Sequence, residues 1–476
     1  MRVGMMTVAA GAVAFGLAAT FAAAAEAGKK ATDLFVRVSP RDARYFELSD
    51  GRPYVPIGLN MVTPGSGGMP QMTRWIENLS ANRGNFCRIW LSSPYFDIEH
   101  TRSGQYDEQK ARRIDGLLAL ARKRGVRLKL CMEHFRRLSG SPQWSVKALH
   151  HVDNGGPAQS IADFLDGSRS RRQFERKIAF YARRYRSDPI VFGWELWNEV
   201  DCVAGGDWAR WSELMLAELH RRFPKNLAMQ SLGSFDTAGK RKRYQRLAKM
   251  KGNDVAQVHR YLDLGGRLDV CHGPVDVLAA DAVREILRVQ PARPVLLAES
   301  GAVEKSHTGP FKLYRKDTNG IILHDVLFAP FFAGAAGPGH IWHWGVYVDR
   351  MKLWHHFGRF AEAIDGLDPP SEALEPIELN HEQLRVYALK GKRTFLAWCR
   401  DTKSDWRTEL AEGKPPEPVR GAGIDVGKYA AGLGDAPVRV YDPWQNAWTK
   451  AAVTDGKIVL PTFTRSIVVR VEQKGG

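Results

Sequence analysis

The chain reads as a (β/α)8 TIM barrel followed by a small all-β sandwich. Short apolar runs alternate with amphipathic helical segments over most of its length, the pattern of a parallel α/β fold. Two of these runs carry a glutamate at their carboxyl end, Glu199 and Glu299, and a barrel of this class gathers its chemistry at the carboxyl ends of its strands. Beyond Asp368 the helical periodicity stops, and short alternating strands take over.

Taken in order, the N-terminal stretch is expected to lie outside the fold. Met1-Arg2 precedes an apolar, alanine-rich run from Met5 to Ala25. The small-x-small pattern Ala25-Glu26-Ala27 follows. This is the pattern of a signal peptide, 1–27, and predicts a secreted or periplasmic protein. No cysteine follows the cleavage point, and no other stretch is long and apolar enough to span a bilayer, so no stable membrane insertion is expected after cleavage. The remaining plan is a barrel at 28–368, a linker at 369–380 and a sandwich at 381–476.

The segment Phe35–Leu48 alternates and meets the turn Ser49-Asp50-Gly51, which predicts a hairpin plugging the closed end of the barrel. Eight strands are then expected: Tyr54–Met61, Asn85–Leu91, Val126–Glu133, Val191–Glu199, Asn226–Leu232, Val255–Tyr261, Pro294–Ser300 and Gly339–Trp344. Between them, Glu108–Arg124 places Ile114, Leu117, Leu118 and Ala121 on one helix face and stops at Gly125. Ser168–Arg186 does the same with Phe174, Ile178, Tyr181 and Tyr185. A doubly wound sheet would want a glycine-rich loop after its first strand. Gly421-Ala-Gly423-Ile-Asp-Val-Gly427 imitates one but follows Pro415-Pro416-Glu417-Pro418, and reads as a loop. The long segment from Phe135 to Ser168, with Trp144, His150 and His151, is expected to shape the open face. Proline-rich 366–376 reads as a linker. Leu384–Leu389, Arg393–Cys399, Pro437–Tyr441, Ala447–Val453, Lys457–Leu460 and Ser466–Glu472 then supply a sandwich. Tyr441, Trp444 and Trp448 form either a packed core or a small aromatic platform.

The formal net charge of +17 permits polyanionic partners. The arginines are nevertheless spread over helix faces, as in Arg112-Arg113 and Arg171-Arg172. No nucleic-acid motif is present, so no nucleic-acid partner is expected. The densest run, Lys240-Arg241-Lys242-Arg243, is the best candidate for an anion patch. The five cysteines, Cys87, Cys131, Cys202, Cys271 and Cys399, form no CxxC pair. They imply neither a disulfide framework nor a zinc site. No HExxH or GxSxG motif occurs, and no metal or cofactor is called for.

Two carboxyl groups at one barrel mouth are what glycosidic cleavage requires, one as acid and one as nucleophile or base. In the fourth run Glu195, Trp197 and Glu199 share one parity. Glu195 lies deeper and needs a buried base, Arg88 or Lys129. His259 and Tyr261 share parity on the sixth run, so Tyr261 can donate to Glu299. Arg88 can pair with Glu299 or with Glu195. Trp342 and Trp344 share parity on the eighth run, and one of them, Trp342 by preference, is expected to floor a sugar ring.

These residues resemble glycoside hydrolase clan A, and most closely its family 5 cellulase and β-mannanase group, over about Phe35 to Asp368. Trp194-Glu195-Leu196-Trp197-Asn198-Glu199 matches the clan's Asn-Glu pair. The resemblance implies that Glu199 is the acid/base and Glu299 the nucleophile. It implies that Asn198 binds the sugar 2-hydroxyl, and that Arg88, His259 and Tyr261 support the site. Many relatives carry a histidine-containing motif followed by Asn or Tyr after the third strand; here the sequence is Glu133-His134-Phe135. The expected function is a retaining hydrolase of a β-linked glycan, of β-mannan or β-glucan type, taking an oligo- or polysaccharide substrate. Glu199 should have a raised pKa and Glu299 a depressed one. The alternatives are an exo-acting enzyme of the same clan and a non-catalytic carbohydrate-binding barrel. Oligomeric state is not readable from the sequence.

Overall fold

The computed structural model describes residues 30–134, 149–203, 205–430, 436–454 and 456–473. The segment read as an export signal, and Trp144 of the long loop, lie outside the described residues. The chain opens on an antiparallel sheet of β1 (Val36–Val38), β2 (Phe46–Leu48) and β3 (Pro53–Tyr54). This is the expected plug. Phe46 meets Phe192 edge to face at 5.3 Å, and Phe192 meets Phe86 at 5.1 Å. Phe86 and Phe192 stand at the amino ends of their strands, so the hairpin seals the end of the barrel remote from the two glutamates.

The barrel comprises β4 (Gly58–Asn60), β5 (Phe86–Trp90), β6 (Arg127–Glu133), β7 (Val191–Trp197), β8 (Leu227–Met229), β9 (Ala256–His259) and β10 (Val295–Glu299). β4 to β8 form one parallel sheet, and β9 and β10 a second parallel pair. Between β8 and β9 the seam is closed by the Asp254 amide donating to the Ala228 carbonyl at 2.9 Å and by Gln257 donating to Gln230 at 3.2 Å.

The eighth expected strand, Gly339–Trp344, is only a bridge. The Ser300 amide donates to His340, Trp342 to Ser300, and Asn60 to Ile341, at 2.9–3.1 Å. Those bonds close the barrel, but the chain turns away at once. Trp344 opens a π-helical turn, Trp344–Asp349, so too few residues remain extended to build a ladder.

Helices form where the apolar spacing requires them. Glu108–Arg124 starts at Asp107, whose carboxylate accepts from the Gln109 and Lys110 amides, and ends at left-handed Gly125 (φ 70°). The helix Ser168–Tyr185 buries Phe174, Ile178, Tyr181 and Tyr185, as its spacing predicts.

The C-terminal unit is a sandwich. A six-stranded antiparallel sheet runs in the order Glu375–Leu379, Leu384–Lys390, Thr394–Asp401, Ser466–Glu472, Val438–Asp442, Ala447–Ala451. It packs on a three-stranded sheet through a core that includes Phe395, Cys399, Ile424, Ile458 and Val469.

Two expectations fail here. Residues 369–380 are not a linker. Pro369 starts a short helix capped by Asp368, and Glu375–Leu379 is an edge strand. Proline is well tolerated at a helix start and on a sheet edge, where no N–H is missed. Likewise Gly421–Gly427 is not all loop, because Gly423–Asp425 pairs with Lys457–Val459.

The sandwich is fastened to the barrel by the helix Ile321–Phe332, buried along its whole length and apolar except for His324 and Asp325. Arg400 pairs with Asp325 at 2.8 Å and Arg385 with Asp276 at 2.6 Å across the same junction. Trp444 packs on His324 at 4.3 Å, and Trp448 donates to Glu362 at 2.8 Å. The aromatic trio is therefore packing material and not a platform. All five cysteines are free thiols, with Cys87 and Cys131 buried on neighbouring strands.

Candidate active site

Local backbone features aim each acid. Along β7, Glu195 faces the barrel interior. Trp197, expected to share its face, packs instead on Phe164 and Trp211 of the helix layer at 5.6 and 5.9 Å. Alternation ends there. Glu199 reaches the mouth through a left-handed backbone (φ 51°, ψ 53°), with its amide donating to Ser231 Oγ at 3.1 Å. That conformation costs about 1–2 kcal/mol for a non-glycine residue and is found disproportionately at functional sites. On the facing side, the β9–β10 ladder skips Ala298, so Glu299 pairs with His259 across a β-bulge. A bulge of this kind re-aims the side chain beside it.

The two carboxylates meet. His259 Nδ1 lies 2.8 Å from Glu199 Oε1 and 3.4 Å from Glu299 Oε2. One oxygen of each acid and a ring nitrogen of His259 lie within 4.8 Å of one another. Tyr261 donates to Glu299 Oε2 at 2.9 Å.

Both pairings open to Arg88 are realised at once. It holds Glu195 through two bonds of 2.7 and 2.9 Å, contacts Glu299 Oε1, and donates to Asn198 Oδ1 at 2.6 Å. Lys129 lies 3.4 Å from Glu195. Glu195 is fully buried and is held down to about 2; burial opposes this, and Arg88 and Lys129 outweigh it.

Burial pushes Glu199 well above the ordinary carboxylate value, and the charges of Glu299 and Asp201 add to the rise. Glu299 was expected to be depressed. It is raised instead: burial is the largest influence and exceeds the pull of Arg88 and Tyr261. Carboxyl groups this close do not both ionise readily. The charged donor Arg88 and the Tyr261 hydroxyl both bond Glu299, whereas Glu199 has only the neutral His259 ring and the weak Cys202 thiol beside it, so the shared proton belongs on Glu199. Burial keeps His259 neutral and Tyr261 protonated.

The acids line a cleft of about 640 Å³ together with Asn198, Tyr261, Trp90, Trp75, Trp342 and Trp344. Trp342 and Trp344 both border it, in edge-to-face contact at 5.6 Å. Trp90 went unnoticed in the sequence, although it shares parity with Arg88 on β5. Asn60, whose amide donates to the carbonyls of Ala298 and His340 at 3.0 and 3.1 Å, went unnoticed too. His307 and Arg350 arrive from loops that carry no periodic signal.

At the departure after the third strand, His134 stacks on Trp90 at 4.6 Å and meets Ser92 at 2.5 Å. The run 240–243 is no anion patch. Lys240 and Arg243 pair with Asp201, and Arg241 with Glu285.

Among the described residues, three groups have spacing suited to a cation. In Glu199–His259–Glu299 the positive partner is Arg88, and in Glu99–Glu133–His150 it is Lys177, 3.2 and 3.1 Å from the two acids. The third is Asp236–Asp263–His307. No described helix is long and apolar enough to cross a membrane.

No family model matches the chain. It is 30% identical over 159 residues to mannan endo-1,4-beta-mannosidase 3 of Oryza sativa subsp. japonica, covering 30% of this chain and 33% of that protein. It is 28% identical over 161 residues to mannan endo-1,4-beta-mannosidase 2 of Arabidopsis thaliana, covering 31% and 37%. The matched stretch thus spans about a third of the length of these curated relatives. A glycoside hydrolase family 5 structure from Bacteroides vulgatus ATCC 8482 aligns over 92% of this chain and 93% of that one, with a TM-score of 0.58 and 13% identity. The chain therefore shares the fold of that glycoside hydrolase family 5 structure, a (β/α)8 barrel with a C-terminal sandwich.

Proposed function

We propose that this protein is a retaining glycoside hydrolase that cleaves a β-linked glycan, of β-mannan type by preference, through double displacement. The observation that carries the reading is the convergence of Glu199 and Glu299 on one His259 nitrogen, with carboxylate oxygens within 4.8 Å. Retention works at carboxyl separations of about 5–5.5 Å, whereas inversion needs about 6.5–9.5 Å to admit a water. Glu299, fixed by Arg88 and Tyr261, attacks the anomeric carbon. Glu199 gives its proton to the leaving oxygen, and the glycosidic bond breaks as the glycosyl–Glu299 ester forms. Glu199, now ionised, takes a proton from water, and the resulting hydroxyl releases the sugar and frees Glu299. Asn198, oriented by Arg88, is positioned to hold the hydroxyl next to the scissile bond. The mannan preference rests on the similarity to mannan endo-1,4-beta-mannosidases. Export, read from residues 1–27, suits a protein that meets polysaccharide outside the cell.

The test is hydrolysis of a panel of β-glycans, with the first-formed anomer read by NMR and the Glu299→Gln protein as blank. Initial release of the β-anomer supports the proposal. An α-anomer, or equal activity in the blank, refutes it. Binding of a β-glycan with no turnover would favour a non-catalytic carbohydrate-binding barrel.

A further inference from the structure

Trp344 and Arg350 bracket the π-helical turn that ends the barrel, and both line the cleft. Irregular helical turns of this kind occur frequently at functional sites. Trp344 is partly buried, edge to face with Trp342 at 5.6 Å and with Trp75 at 6.3 Å. Trp342, Trp344 and Trp75 therefore form a continuous run of indoles in the cleft lining.

Arg350 borders the same cleft. It is exposed, and its guanidinium has no ion-pair or hydrogen-bond partner among the described residues. The acid next to it in the chain, Asp349, is already engaged by Arg74 at 3.2 Å and by the Trp354 indole at 3.3 Å. Among the described residues, the cleft lining holds no carboxylate apart from the two catalytic glutamates, and Arg350 is its one lysine or arginine. Burial keeps His307 and His343 in the lining neutral.

From this we propose that Trp344 and Arg350 form an outer subsite for an anionic sugar. One ring stacks on the indole, and its carboxylate or sulfate is received by the guanidinium. Arginine suits this role because its planar fork binds such oxygens in pairs. The formal charge of +17 would draw an acidic glycan toward the site. The inference rests on the glycosidase reading and narrows its substrate to acidic or acid-decorated glycans.

The test uses β-1,4-linked mannan and glucan oligosaccharides of equal length, each unsubstituted, carrying one uronic acid, or carrying one sulfate ester. The wild-type kcat/KM for an acidic form is expected to exceed that for the neutral form by about tenfold at low salt, the scale of one charge-assisted hydrogen bond. The excess should shrink as salt is raised, disappear in Arg350→Gln and invert in Arg350→Glu. Comparing the uronate and sulfate arms identifies which anion is favoured. A ratio unaltered in both variants overturns the inference. Affinities for the same ligands, measured by calorimetry on Glu299→Gln with and without Arg350→Gln, keep the two readings apart. Absence of turnover with a retained acid preference sinks the glycosidase reading alone. Turnover without an Arg350-dependent preference sinks the subsite alone.

Discussion

Replacing Tyr261 by Phe isolates the one neutral donor on the proposed nucleophile. The hydroxyl lies 2.9 Å from Glu299 Oε2, and burial keeps it protonated. The bond favours ionised Glu299, because a donor stabilises the charged acceptor. A hydrogen bond to a charged group contributes about 1.5–3 kcal/mol, so kcat/KM should fall roughly 10- to 150-fold. The sign for pH follows from the same bond. Without the donor, Glu299 protonates at higher pH, so the acidic limb of kcat/KM moves up, while the basic limb, set by Glu199, stays in place. Little stability is at stake, since the ring remains and only the hydroxyl is removed. The assay is a pH profile of initial rates on a cleavable β-oligosaccharide, run beside thermal unfolding. A drop in rate with the acidic limb unmoved would refute the argument, as would a limb that moves down.

Glu199→Ala should slow natural substrates by about 10²–10⁴-fold, the usual contribution of general acid catalysis. It should spare the first step on aryl glycosides with good leaving groups, and added azide should yield a β-glycosyl azide; an α-azide would contradict retention. Glu195→Gln should destabilise the fold by about 3–5 kcal/mol, measured by urea unfolding, because Arg88 and Lys129 would lose their buried counter-charge. In the parent protein, ionised Glu195 stabilises the fold above the ordinary carboxylate pKa, and that contribution should fade as pH drops toward about 2. A chain ended after residue 368 would bare the largely apolar helix Ile321–Phe332 and leave Asp325 without Arg400, and is expected to aggregate; a soluble, cooperatively unfolding product would show that the sandwich is dispensable.

Much of the site could be read from short-range pattern, because strand alternation and apolar runs are local properties. Parity alone put Arg88, Glu195, His259 and Tyr261 toward one interior. It also brought Tyr261 to Glu299, and that hydrogen bond is present. The same rule misassigned Trp197, because alternation lapses where a strand ends and a left-handed residue follows. The strand expected to reach Trp344 was overextended for a similar reason, since a π-helical turn leaves no periodic trace over six residues, although Trp344 does border the cleft. The supposed linker failed because proline marks both loops and the edges and starts of regular elements.

By itself the chain determined the order of strands and helices, the two acids at strand ends and the break in character after the barrel. These follow from hydrophobic periodicity, which depends on neighbours a few residues away. Only the tertiary structure decided that Arg88 serves Glu195 and Glu299 together, and that Lys240 and Arg243 brace Asp201. Only the structure showed that burial raises Glu299 despite its donors. Desolvation and charge pairing depend on groups brought together from distant parts of the chain, 107 and 211 residues apart for the two partners of Arg88, and no local pattern encodes that proximity.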